Sequence, residues 1–276
     1  MKDLKLQMVT SPVGLNLAPP TRATDRVLVL RTPSGISGDM LVTGLARLAQ
    51  VDDATLEELI ESLEIPELRG VLKIRPHSVS SISGWKADIK LPDEHAHRTL
   101  ADIEALIARS KLTPAAARLA LQAFNILAEA ESRVHQIPPE QVHFHEVGAL
   151  DSILDTCLAS ALFTRIAPDR FVCSPLPVCD GNILCEHGII ASPAPAVLEM
   201  LSGVPVYGVP SRGETVTPTA IAFLKAANAD FGQWPSLVVE TTARAYGGRV
   251  LPGVPNGAIF VLGSSPSAQG LFPPRS

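Results

Sequence analysis

VLVLRTPSGISGDMLVTGLARL, residues 27–48, sets a short β-branched and leucine run, Val27-Leu28-Val29-Leu30, ahead of a Gly/Ser-rich turn and an apolar helical pattern from Met40. A β-branched run that stops at glycine before a helical pattern reads as strand, glycine loop, helix. Working outward, the alternation recurs. A helix is expected over 54–63, then strand-like runs at 71–74 and 87–91 that pair locally. Helices are expected over 99–110 and 114–134, because Leu119, Ala123, Leu127, Ala130 and Val134 step by three or four along one face. A helix over 149–166 precedes short apolar segments punctuated by Pro and Gly: strands at 171–173, 183–184, 204–209, 237–241 and 258–262, helices at 194–201 and 218–228. The expected class is α/β, with mixed α and β layers around one sheet. Residues 25–263 then form a single domain, with short flexible ends at 1–24 and 264–276.

The 276 residues carry 23 Lys+Arg against 28 Asp+Glu, a formal net charge of -5, with no basic block. That removes the electrostatic footprint of a nucleic-acid or anionic-membrane binder. No stretch nears the roughly 18 apolar residues of a membrane span, and the N-terminus lacks the apolar run of a secretory signal. Cys157, Cys173, Cys179 and Cys185 match neither a CxxC nor a structural-zinc spacing. They read as free thiols of a cytoplasmic protein.

The densest constellation is HFHEVGALDSILD at 143–155. An extended 142–146 segment points His143 and His145 to one side and Glu146 to the other. On the helix that follows, Asp151 and Asp155 lie one turn apart, on a stripe continued by Leu158 and Leu162. Carboxylates heading an apolar stripe face inward, where an unpaired charge is costly and calls for a cation or a hydrogen-bond partner. Imidazole nitrogen with carboxylate oxygen suits Ni(II), Zn(II), Mn(II) or Fe(II), and the absence of Cys argues against closed structural zinc. The helix dipole favours Asp151 even without a function.

His95 and His97 repeat the same-side pair ahead of a helix. His187 precedes a helix expected to start with Ser192 as N-cap and Pro193 in its first turn. His77 and His135 are assigned no role. Ser34-Gly35-Ile36-Ser37-Gly38-Asp39 is neither a P-loop nor a GxGxxG. Its glycines let backbone amides approach an anion at a helix start, with a simple cap as the alternative; Asp39 would repel phosphate unless a cation intervened. In Thr215-Val216-Thr217-Pro218-Thr219, Thr217 is placed as an N-cap with two hydroxyls left for a ligand.

SGISGDM at 34–40, HAHRTLADIEALI at 95–107, HFHEVGALDSILD at 143–155, HG at 187–188, SPAPAVLEML at 192–201, TVTPTA at 215–220 and PNGAIFVLG at 255–263 occur in the order of one family. Over residues 26–263 the chain resembles the N-terminal part of the nickel-insertion proteins of nickel-pincer cofactor biosynthesis, the LarC type. The resemblance implies insertion of Ni(II) into pyridinium-3,5-bisthiocarboxylic acid mononucleotide, with CTP consumed alongside Mg or Mn, to give a sulfur-carbon-sulfur pincer. It implies that His143, His145, Asp151 and Asp155 hold the ion and that His95, His97 or His187 complete or relay it. The phosphate would be gripped by Ser34, Gly35, Ser37 and Gly38, or by Thr217 and Thr219. Nickel on nitrogen and oxygen is held less firmly than on soft thiocarboxylate sulfur, so transfer runs downhill.

Two other readings use the same residues. A metal-dependent phosphoester hydrolase would employ Glu146 or Asp39 as catalytic base. A non-catalytic nickel carrier would be completed by a separate C-terminal-half protein. A homo-oligomer is expected.

Overall fold

The computed structural model describes residues 25–92, 98–144, 148–185 and 187–266. β1 (Arg26–Arg31) runs through the glycine loop into α1 (Gly38–Leu48), followed by α2 (Asp53–Glu61) and the hairpin β2 (Leu72–Val79) and β3 (Ile82–Ile89). Then come β4 (Arg98–Thr99), α3 (Leu100–Arg109), α4 (Pro114–His135), β5 (His143–Phe144) and α5 (Leu150–Ile166). β6 (Arg170–Cys173) and β7 (Leu176–Val178) lead to a second hairpin, β8 (Asn182–Cys185) and β9 (Gly188–Ala191), and to α6 (Pro195–Met200). The order closes with β10 (Val206–Gly208), α7 (Pro218–Ala226), β11 (Asp230–Phe231), β12 (Val238–Tyr246) and β13 (Ala258–Ser264).

Seven strands form one sheet in the order β11-β6-β1-β13-β12-β3-β2. β1 lies inside it, parallel to β6 and antiparallel to β13. Successive side chains of a strand point to opposite faces. Val27 and Val29 accordingly join Val172 and Val261 on one side, while Leu28 and Leu30 enter the helix-covered core on the other. A strand buried on both faces reads as an unbroken apolar run, which is why 27–30 shows no alternation.

On the covered face α1 packs on α5 and on β3, β12 and β13, and α4 packs on α5 and α7. Ala123, Leu127 and Ala130 of the α4 stripe are fully buried, with Leu119 and Val134 at its margins. Capping is local: Thr113 accepts from Ala116 N–H at 3.2 Å ahead of Pro114, and Thr99 and Asp102 form a reciprocal capping box on α3.

The α/β class is as the sequence indicates, with two local corrections. The first hairpin is longer than the runs 71–74 and 87–91, because Ser80 and Ser81 take φ of +50° and +63° and join Val79 to Ile82 in a two-residue turn. Ser192 does not cap α6. The helix starts at Pro195 behind Ala194, and the Ser192 hydroxyl donates to Gly213 O at 3.0 Å. Burial pushes the Cys157 and Cys173 thiols up to about 12, so they act as small core side chains. No helix among the described residues is long and apolar enough to cross a membrane.

Gly44 sets how close α1 lies to the sheet, since a Cβ there would collide with the Phe260 ring of β13. Gly44→Ala is expected to destabilise by roughly 1–3 kcal/mol through overpacking, although alanine improves helix propensity by about 1 kcal/mol. Urea unfolding measures the difference, and an unchanged or raised midpoint would show that α1 can lift off β13.

Candidate functional site

Helix N-termini meet where β1 ends. Ile36 N–H donates to Thr215 O at 2.8 Å and Thr217 N–H to Ile36 O at 3.1 Å, so the start of α1 lies beside the start of α7. Gly35, at φ +105°, takes the Thr215 carbonyl where a side chain would stand. Gly38 does the same for the Asp155 carboxylate of α5. Both glycines therefore admit protein. The Gly35 and Ile36 amides are spent on the Thr32 and Thr215 carbonyls, which corrects the expectation that they approach an anion.

Over the α1 start lies a cleft of about 180 Å³. The glycine loop, Glu214 to Thr217, and a segment with Tyr246, Gly247, Gly248 and Arg249 wall it. The Tyr246 hydroxyl donates to Ile82 O at 2.8 Å, which fixes its ring. Gly247 lets its segment close on α1, because a Cβ there would sit 3.0 Å from Met40 Sδ. Arg249 Nη2 lies 3.3 Å from Glu214 Oε2 and brings positive charge to the rim.

Asp39, in the first turn of α1, faces this cleft and accepts from the Ser37 hydroxyl. Burial pushes its carboxyl above the ordinary range, against the opposing pull of Ser37, the Met40 amide and Lys86. Behind it sits Asp155, whose buried Oδ1 has no hydrogen-bond partner. Burial first, then the charges of Asp39 and Asp151, hold Asp155 well above the usual carboxylate value. Asp151 is exposed one turn earlier and accepts from Ser152 N–H at 2.7 Å. A buried, unpartnered carboxylate beside a second one is relieved by a proton or a divalent cation, and hard oxygen donors suit the cation.

As the side chains stand, no group of three or more His, Cys, Asp or Glu among the described residues converges to hold an ion. His143 is exposed on β5, where its charge acts on Asp102 at the start of α3. It is not among the groups that act on Asp155. His95, His97, His145 and Glu146 lie outside the described residues. The segments that bear them are joined nearby: Arg98 pairs with Phe144 and Thr99 with His143, and Arg98 Nη1 donates to Gly148 O at 2.6 Å. His187 stands on the β8–β9 turn, in a different pocket from Asp39.

The hydroxyls expected to be left for a ligand have partners within the protein. Thr217 caps α7, accepting from Ala220 N–H at 3.3 Å, and lies 3.1 Å from the Thr219 hydroxyl. Thr215 donates to Pro177 O at 2.7 Å, and Ser34 accepts from Gly257 N–H at 3.2 Å. Sequence reading does not single out Glu214 as a cleft residue; Tyr246 and Arg249 lie in the glycine-bearing 244–249 segment, which the sequence marks as touching a possible ligand site.

Because the folded state raises the Asp155 pKa, its relative stabilisation is complete below the ordinary carboxylate value of about 4 and is lost as pH rises through the folded value. Asp155→Asn removes that loss. The variant, stripped of metal, is expected to melt a few degrees above the parent at neutral pH, with the gap closing toward about pH 4. Added divalent cation should raise the melting temperature of the parent and not of the variant. Parallel curves at all pH values would show that the carboxyl is not strained.

The family model for nickel insertion proteins matches residues 28–270. A pyridinium-3,5-bisthiocarboxylic acid mononucleotide nickel insertion protein of Desulfitobacterium hafniense is 37% identical over 81% of this chain and 54% of its own length. One of the same description from Geobacillus kaustophilus is 37% identical over 86% of this chain and 60% of its own. The chain thus spans less than two thirds of the relatives it matches. No solved structure matches it. Since the matched span runs from β1 to β13 and takes in both the glycine loop and the acidic α1–α5 contact, the chain belongs to the nickel insertion protein family.

Proposed function

We propose that this chain inserts Ni(II) into pyridinium-3,5-bisthiocarboxylic acid mononucleotide, the substrate in the names of its relatives. One observation carries the reading. Asp155 holds a buried oxygen with no partner next to Asp39, and Asp39 also faces the cleft. An ion on these carboxylates therefore borders whatever the cleft binds.

Nickel is cargo in this reaction. Asp39 and Asp155 hold it from the protein side, with Asp151 at the mouth, and His143 and His145, with His95 or His97, complete or relay it. The cleft takes the phosphate-bearing end of the mononucleotide against Arg249 and the α1 start. At about 180 Å³ it is small beside the roughly 300–1,000 Å³ of pockets that enclose whole ligands.

Insertion forms a nickel–carbon bond at the ring carbon between the two thiocarboxylates as its C–H bond breaks. The electron pair goes to nickel, which stays Ni(II), and the proton leaves to a base. Asp39 would take that proton, its proton affinity raised by burial above that of an ordinary carboxylate; Glu146 is the other carboxylate for the role. Two thiocarboxylate sulfurs then outcompete the protein's oxygen and nitrogen donors, which releases the product's metal from the protein.

Nickel–sulfur charge-transfer absorption, followed with protein, Ni(II), CTP and the mononucleotide against a protein-free control, tests the activity. Asp39→Asn and Asp155→Asn are expected to lower kcat by about 10²-fold or more. Arg249→Ala is expected mainly to raise KM, as loss of uniform binding does. Catalytic growth of the band in Asp39→Asn and Asp155→Asn at the parent rate would overturn the assignment.

A further inference from the structure

The connection from β11 to β12, residues 232–237, leaves the edge of the sheet and crosses β6, β1 and β13 to reach its next strand. It crosses on the face away from α1, where Leu237 packs on Val27, Val29, Val172 and Val261. By the two-residue period of β1, Arg31 points to that same face. Arg31 pairs in register with Ile259, and Ile259 with Arg244, so the row carries two cations. β1, β6 and β11 run parallel and end together here, at Arg31, Cys173 and Phe231. Ligands of open sheets settle beyond the carboxyl ends of such strands.

Arg31 is 9% exposed. Its Nη1 donates to Gly232 O at 2.6 Å, and its guanidinium lies 4.8 Å from the centre of the Trp234 ring, an exposed side chain of the same connection. Nε and Nη2 are both buried and have no hydrogen-bond partner. Those two N–H groups form one edge of the guanidinium, the parallel pair that meets two carboxylate oxygens side-on. Burial lowers the pKa of the guanidinium, and among the described residues Cys173 is the group whose charge would oppose that. A thiol pushed up to about 12 stays neutral and supplies no counter-charge. Arg170 on β6 is met by Asp230 at 3.1 Å; among the described residues Arg31 has no such carboxylate. A buried charge without a partner is costly, and an anion that fills its free donors relieves it.

We infer that Arg31 and Trp234 form a binding site for a small organic monocarboxylate, distinct from the cleft over α1, whose walls include neither residue. One guanidinium edge offers two donors and one positive charge, and a monocarboxylate answers with two oxygens and one negative charge. A phosphate dianion would leave a charge and an oxygen unmet at Arg31. The apolar body of the acid meets the Trp234 ring. Because both donors are shielded from water, the 232–237 connection shifts as the acid enters, and the indole reports the event. The site does not rest on the function proposed above.

The chain has two tryptophans, so a Trp85→Phe background leaves Trp234 as the reporter. Its fluorescence, titrated with sodium hexanoate at constant ionic strength, tests the site. Hexanoate is expected to change the emission saturably and to raise the melting temperature. Hexanol, the same body without the charge, should do neither. Arg31→Lys keeps the charge and loses the fork, and should weaken binding at least tenfold; Arg31→Gln should abolish both signals. Ligand-free melting curves of the two variants separate lost binding from lost folding, and Arg31→Lys carries the test if Arg31→Gln does not fold. No saturable response to hexanoate, or the same affinity in the parent and in Arg31→Lys, would overturn the inference. An equal response to inorganic phosphate or to hexanol would refute the carboxylate as ligand.

Discussion

Asp155 pressed against Gly38 is the constraint on which the rest of the site depends. A side chain at position 38 would occupy the space of that carboxylate, so the first turn of α1 must be bare for α5 to approach it. Gly44 repeats the requirement one and a half turns later against Phe260. α1 is thereby clamped between the sheet and α5, and Asp39 lines the cleft while its charge acts on Asp155. A charge in such a place is tolerated when something offsets it. The positive end of the α1 dipole offsets part; a proton or a cation must supply the remainder.

That balance fits the ion transfer proposed above. Carboxylates that repel one another and have raised proton affinity hold a divalent cation less tightly than a preformed cage without such repulsion. Modest affinity is what transfer to sulfur ligands requires. The glycine loop serves the same end by an unexpected route. Its bare backbone brings the 215–217 segment and α5 together, so the cleft is a product of helix N-termini that meet, and the loop builds the floor on which a ligand rests.

Much of the architecture was legible along the chain because its elements are decided by local periodicity. The stripe on α4, the apolar run of β1 and the proline-led start of α7 each follow from side-chain spacing and backbone chemistry within a few residues. The places that misled are those where a distant partner took over a local signal. Ser192 has a capping residue's chemistry, yet the Gly213 carbonyl claims its hydroxyl. Thr215 and Thr219 carry hydroxyls in a ligand-like motif, yet Pro177 and Thr217 engage them.

By itself the sequence determined the α/β class, the order of the helices and of most strands of the main sheet, and the spacing of Asp151 and Asp155 by one helical turn, since all three rest on periods of two and 3.6 residues. It also marked 34–39 as a tight turn between strand and helix. Tertiary structure alone decided that Asp155 meets Asp39 across 116 positions, that Arg249 and Tyr246 wall the same cleft, and that His135 faces His187. These are contacts between separate elements. Their partners are chosen by how α1, α5 and α7 pack over the sheet, and no spacing along the chain encodes that choice.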